Sequence, residues 1–268
     1  MKPPCDEGMI RSKSDVVPCR KESGPWVLAA AILGSSMAFI DSTVVNVALP
    51  ALQSGFHASI VDVQWVVESY GLFLSALILT GGALGDFFGR RLVFLTGVLT
   101  FAAGRSIQGV GAALLVPGSL AIISASFDEE SRGRAIGTWS GFTAITSAIG
   151  PLVGGWLIEH ASWKWVFFIN LPIAAAVITI TLWHVPESRS AVARRIDWIG
   201  ALIASAGLGG VVYGLIESQT HGWRNAMVLG SLLGGLLCLI GFVQLENRVS
   251  SPMVPLTLFR SKAFSGAN

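Results

Sequence analysis

Asp41 is a lone carboxylate between two charge-free stretches, residues 23–40 and 42–61. Keeping a carboxylate ionised at mid-membrane costs at least about 2.5 kcal/mol. Burial favours its neutral form, which suits a group that takes up a proton or recognises a cation. The plainer alternative is a carboxylate near the outer interface that simply reaches water. Arg105 is a cation between the apolar runs 92–104 and 106–127. Its guanidinium stays charged, so within a bundle it could tune or pair with a carboxylate. At the tip of a helical hairpin it would only meet water. Gln108 and Gly109 follow about one turn later, a polar contact and a close-packing position.

Asp86 and Arg90 stand four apart in GGALGDFFGRR (81–91), which also holds Gly81, Gly85, Gly89 and Arg91. An acid–base pair at this spacing is a common feature of solvated helices and contributes only about 0.2–0.5 kcal/mol. The three glycines permit close backbone approach. In AIGPLVGGW (148–156), Pro151 removes a backbone hydrogen bond and bends a helix. Gly150 and Gly154 make a small-xxx-small face, with Gly155 beside it; Gly137 and Gly141 have the same spacing. Helix packing explains such faces, and a bending point in transport is compatible with packing.

The remaining polar residues carry less. Glu68 faces either a cavity or water. Asn46, Asn170 and Gln244 read as interhelical hydrogen-bonding groups. His57, His160, His184 and His221 fall in or near loops, and neither they nor Cys5, Cys19 and Cys238 have metal-ligand spacing. No glycine-rich loop follows a strand to cradle phosphate, and no nucleophile elbow is present. No catalytic residue, cofactor or metal is therefore expected.

The elements that must position these groups are membrane helices. The chain has 268 residues, 52% hydrophobic and 13% charged, against about 25% charged in a soluble domain. Its 31 Gly and 9 Trp suit close helix packing and interfacial anchoring. Disorder, a disulfide scaffold and a nucleic-acid partner are excluded, and the net charge of +2 points to no partner. Charge-free gaps predict spans at Trp26–Ala48, ended by Pro50, then Trp65–Leu84, Ala135–Ile158, Trp165–Trp183, Trp198–Ile216 and Trp223–Val243. Seven tryptophans lie at or near predicted span ends. Fifteen Lys and Arg fall in the two tails and the even-numbered loops, and only Lys164 and Arg224 in odd-numbered loops. That asymmetry predicts both termini cytoplasmic in the plasma (inner) membrane, if spans 3 and 4 both cross.

Residues 92–127 contradict this scheme locally. Arg90/Arg91 and Arg132/Arg134 belong on one side, so an even number of spans must separate them. Two spans and a turn need more than about 40 residues; 36 are available. Either two short helices form a cramped hairpin with Arg105 near its tip, or residues are missing.

Six segments in order resemble the major facilitator superfamily, in particular its fourteen-span drug/proton antiporter branch. They are MAFIDSTVVNVALP (37–50), GGALGDFFGRR (81–91), RSIQGVGAAL (105–114), AIGPLVGGW (148–156), WKWVFFINLP (163–172) and PLTLFRSKAFSGAN (255–268). The resemblance implies proton coupling or transport through Asp41, Arg105 and Gln108. It implies a cytoplasmic gate at Gly81, Gly85, Asp86, Gly89, Arg90 and Arg91, with Asp86 capping a neighbouring helix end and pairing with a basic residue. It implies a helix-5 antiporter motif at Gly150, Pro151, Gly154 and Gly155. It also implies about twenty further residues between Gly104 and Arg105, and a C-terminal six-helix bundle beyond Asn268.

The expected fold is an all-α membrane bundle of the major facilitator type with about seven or eight spans. A cytoplasmic tail (1–25) precedes an N-terminal bundle (26–184) with spans 3 and 4 truncated. A cytoplasmic loop (185–195), two additional helices (196–245) and a linker (246–268) follow. The expected function is proton-coupled export of drug-like hydrophobic or amphiphilic compounds, with the lipid bilayer, protons and a small molecule as partners. The alternatives are a membrane fragment that transports nothing or needs a second half or an oligomer, and a major facilitator carrier for another small metabolite.

Overall fold

The computed structural model describes residues 5–6, 23–101, 105–189 and 197–249. They form two compact units, residues 1–192 and 193–268. In the first unit, helix α1 spans Gly24–Phe56 and α2 spans Ile60–Phe88. Helix α3 (Arg90–Phe101), α4 (Arg105–Ser126) and α5 (Glu129–His160) follow, then a short α6 (Trp165–Phe168) and α7 (Asn170–His184). A two-residue strand β1 (Cys5–Asp6) pairs in parallel with β2 (Ser188–Arg189). The second unit holds α8 (Trp198–His221) and α9 (Ala226–Glu246). Among the described residues, seven helical segments are long and apolar enough to cross a membrane, with α6 and α7 counted as one segment.

The caps follow from local chemistry. Ser59 and Asp62 close a reciprocal capping box at the start of α2. Asp128 accepts the backbone N–H of Ser131 at 2.8 Å to open α5. Asp197 and Asn225 cap α8 and α9 in the same way.

Two expectations need revision. Pro50 does not end the first span: α1 runs on to Phe56, with His57 in the left-handed conformation as its stop. Val44, Val45, Ala48 and Leu52 are buried on both sides of Pro50 against Val63 and Val166, and this packing carries the helix through the lost hydrogen bond. The predicted single span from Trp165 is broken into α6 and α7 at Ile169. Pro172 has no N–H for the carbonyl of Phe168 and crowds it, so the helix breaks there. The described part of α3 has 12 residues and that of α4 has 22, on either side of residues 102–104, which lie outside the described residues. At 1.5 Å per residue α4 reaches about 33 Å, enough to cross a hydrocarbon core of about 30 Å.

The first unit is knit by small residues against large ones. Phe94 of α3 is fully buried against Gly34 of α1, where a Cβ would lie 2.5 Å from the ring. Trp139 of α5 donates to Ser35 Oγ at 3.0 Å, and Ser35 donates to Ser119 Oγ of α4 at 2.8 Å. This buried polar chain ties α1, α4 and α5 together. In the second unit, Gly207, Gly210 and Gly214 of α8 meet Leu239, Gly235 and Leu232 of α9. With no side chain at those positions the two backbones approach closely.

Candidate transport site

Asp41 lies about 23 Å along α1 from Trp26, midway along the 33-residue helix. It has no solvent-exposed surface. Asn170, at the start of α7, is also buried, and its Nδ2 donates to Asp41 Oδ1 at 3.2 Å. The break imposed by Pro172 brings Asn170 to this place, so the sequence Asn-Leu-Pro supplies both the polar group and the bend that presents it. One turn before Asp41, the Ala38 carbonyl accepts from Tyr70 Oη of α2 at 3.3 Å. Gly109 of α4 in turn lies against the backbone of Tyr70, where a Cβ would be 2.7 Å from its carbonyl oxygen. Tyr70 therefore links the neighbourhood of Asp41 to the turn of α4 that carries Gln108, which is buried. Arg105 is the first residue of α4; its side chain lies outside the described residues.

The helix-5 glycines meet the same stretch of α1. A Cβ on Gly154 would lie 2.6 Å from Val44 Cγ2, and one on Gly150 would collide with Thr43 Oγ1. Thr43 and Val44 stand two and three positions beyond Asp41. Gly155 only reaches ordinary contact with Val47, and Pro151 is exposed. Gly137 and Gly141 have no atom near enough to touch an added Cβ among the described residues. Their shared spacing therefore does not mean a shared packing role: one pair seals against α1 and the other is open.

A second site lies where α2 turns into α3. Arg90 is buried, and its Nε and Nη2 both donate to Asp86 Oδ1, at 3.1 and 2.8 Å. Asp86 itself remains partly exposed. Gly89 adopts φ +119°, which an L side chain rarely adopts. Gly81 is pressed onto the backbone of Ala113 in α4, but Gly85 has no neighbour close enough to touch an added Cβ. Close approach thus explains Gly81 and Gly89 and not Gly85, where no atom of the described residues would touch an added Cβ.

The carboxylate that caps a helix start at this corner is Glu187, not Asp86. Glu187 Oε1 accepts the backbone N–H of Arg91 at 3.1 Å and that of Ser188 at 3.2 Å. Arg91 Nη2 reaches the Leu182 carbonyl of α7 at 3.3 Å. The negative carboxylate complements the positive end of α3, and the cationic Arg91 complements the carbonyl end of α7. Sequence reasoning passed over Glu187 and treated Asn170 as a generic polar contact. The only signal for Asn170 was its place two residues before a helix-breaking proline. Among the described residues, no group of three or more His, Cys, Asp or Glu could hold a metal ion.

Residues 31–198 match the family model described as Major Facilitator Superfamily. The chain is 36% identical to a "Tetracenomycin C resistance and export protein" of Streptomyces glaucescens, over 90% of this chain and 48% of that protein. It is 34% identical to a "Methylenomycin A resistance protein" of Bacillus subtilis, over 96% of this chain and 59% of that protein. It is 38% identical to "Multidrug resistance protein Stp" of Mycobacterium tuberculosis, over 89% of this chain and 48% of that protein. The chain thus spans about half the length of the curated relatives it matches. The first alignment runs over 259 positions but covers 90% of 268 residues, about 241, so about eighteen positions of that relative have no counterpart here. With well over half of its residues inside the family model, and with its helices bent and packed at the segments that first suggested the likeness, the chain belongs to the major facilitator superfamily.

Proposed function

We propose that this chain supplies the N-terminal half of a proton-coupled exporter for hydrophobic or amphiphilic compounds. The observation that carries the reading is the burial of Asp41 at mid-helix, held by Asn170 and flanked by the α1–α5 seal. Proton binding at a carboxylate in that position removes a buried charge. Export follows if proton and cargo bias one conformational equilibrium in opposite directions. In this reading Asp41 is the protonation group, and Arg105 and Gln108 of α4 take part in the coupling, as the family resemblance implies. The Asp86–Arg90 corner stabilises one of the two conformations, on the cytoplasmic side of the plasma membrane. Relatives named for resistance and export support the cargo class.

A second reading is favoured by the open face of α5. At Gly137 and Gly141 no atom of the described residues would touch an added Cβ, which suits a chain that works only with a partner half or as an oligomer. One experiment addresses both. Everted vesicles carry this chain alone, or together with the C-terminal half of a resistance relative, and a fluorescent amphiphilic cation reports uptake. We expect proton-dependent uptake with the partner half, lost in Asp41→Asn, and none with the chain alone. Uptake indifferent to Asp41→Asn overturns the coupling role.

A further inference from the structure

We propose that Asn170 is the positioning residue of Asp41, a carboxamide that donates to the ionised carboxylate and turns over to accept from the protonated acid. The inference rests on Asp41 being the proton-binding group. Three observations carry it. The two side chains come from helices 129 residues apart in sequence, and both are fully buried. The Asn170 amide nitrogen already donates to Asp41 Oδ1 at 3.2 Å. The amide oxygen on the same side chain, Oδ1, is buried and makes no hydrogen bond.

A buried acceptor without a donor is unfavourable and calls for an explanation. The chemistry of the neighbour provides one. An ionised carboxylate only accepts; a protonated one also donates. A leucine in place of Asn170 would serve neither state, and a lysine would serve only the charged one. A carboxamide serves both by rotating half a turn about its terminal bond. When the proton binds an Asp41 oxygen, the new O–H needs an acceptor, and Asn170 Oδ1 is the unfilled acceptor beside it. When the proton leaves, the amide N–H returns to the carboxylate. The proton enters and leaves through Asp41. The bend at Ile169 and Pro172 frees the first turn of α7 to hold this group at the flank of α1.

The test uses the full chain in lipid nanodiscs and infrared difference spectra across a pH series. Asp41→Asn identifies the carboxyl band of Asp41. Labelling asparagine with carbon-13 at the side-chain carbonyl, compared with Asn170→Leu, identifies the amide band of Asn170. We expect both bands to change with the same pH midpoint in the unsubstituted chain. We expect Asn170→Leu to keep the Asp41 band but alter its proton affinity about tenfold, and Asn170→Gln to restore the coupled amide change. If the Asp41 band titrates while the amide band stays still, the inference fails and the proton-binding reading of Asp41 stands. If no Asp41 band titrates at all, that reading fails and takes the inference with it. The labelled, unsubstituted chain keeps the test decisive should Asn170→Leu misfold.

Discussion

Glu187 is seated directly over Gly89, ninety-eight residues away in sequence: a Cβ on Gly89 would lie 2.5 Å from Glu187 Oε1. The same oxygen accepts the N–H of Arg91. Gly89 is therefore constrained twice, by its φ of +119° and by the carboxylate above it. We expect Gly89→Ala to destabilise the chain by about 1–3 kcal/mol, the cost of holding a side chain in such a backbone region. Gly85→Ala is the control, because among the described residues an added Cβ there meets no atom, and the change gains helix propensity of up to about 1 kcal/mol. Denaturant midpoints in detergent read the difference. Equal midpoints would discard the constraint at Gly89.

The same corner separates a capping carboxylate from a paired one. Glu187→Ala removes the cap of α3, and we expect a loss of about 1 kcal/mol. Asp86→Asn removes one partner of an i,i+4 pair on a half-exposed carboxylate, and we expect about 0.5 kcal/mol or less, fading as salt is raised. Arg90→Ala costs more than either, because the buried stem of Arg90 also packs. Unfolding midpoints at low and high salt rank the three. An Asp86→Asn effect that exceeds the Glu187→Ala effect contradicts the assignment.

These two sites show which roles a sequence carries by itself and which it does not. Asp41 and the Asp86/Arg90 spacing were legible because each is a charge out of place in its own segment. Glu187 and Asn170 were not, since their roles come from partners on α3 and α1 that only the fold supplies. Length arithmetic exposed the cramped region between residues 92 and 127. It could not show that α4 keeps a full span's length, held by α1, α2 and α3. Pro50 was misread as a stop because proline weakens a helix locally, whereas burial of Val45 and Ala48 acts over the whole turn.

The two glycine pairs of α5 have equal spacing and opposite surroundings. We expect Gly150→Leu and Gly154→Leu to force α5 off α1 at Thr43 and Val44, lowering stability by about 1–3 kcal/mol or more. Gly137→Leu and Gly141→Leu have open space and are tolerated in the chain by itself. Thermal unfolding in detergent distinguishes them. If all four variants fall together, the α1–α5 contact is not what the inner pair serves.

The last prediction concerns the junction of Gly104 and Arg105. Residues 92–127 are too few for two spans and a turn, while α4 alone is long enough to cross. Restoring about twenty residues at this point supplies what the preceding span lacks together with a turn. The roughly eighteen unmatched positions of the tetracenomycin relative are the right size for such a segment. A hairpin too short for two spans leaves neither side of the membrane favoured for the helices from α4 onward. We therefore expect mixed topology downstream in the chain as it stands and a single topology after lengthening. A cysteine at Arg224, in a Cys5/Cys19/Cys238-free background, reports this through labelling of sealed cells by an impermeant maleimide. Lengthening should convert partial labelling to complete labelling from outside. Identical labelling of the two chains would mean that α3 is not the defect and that the hairpin already sets the orientation.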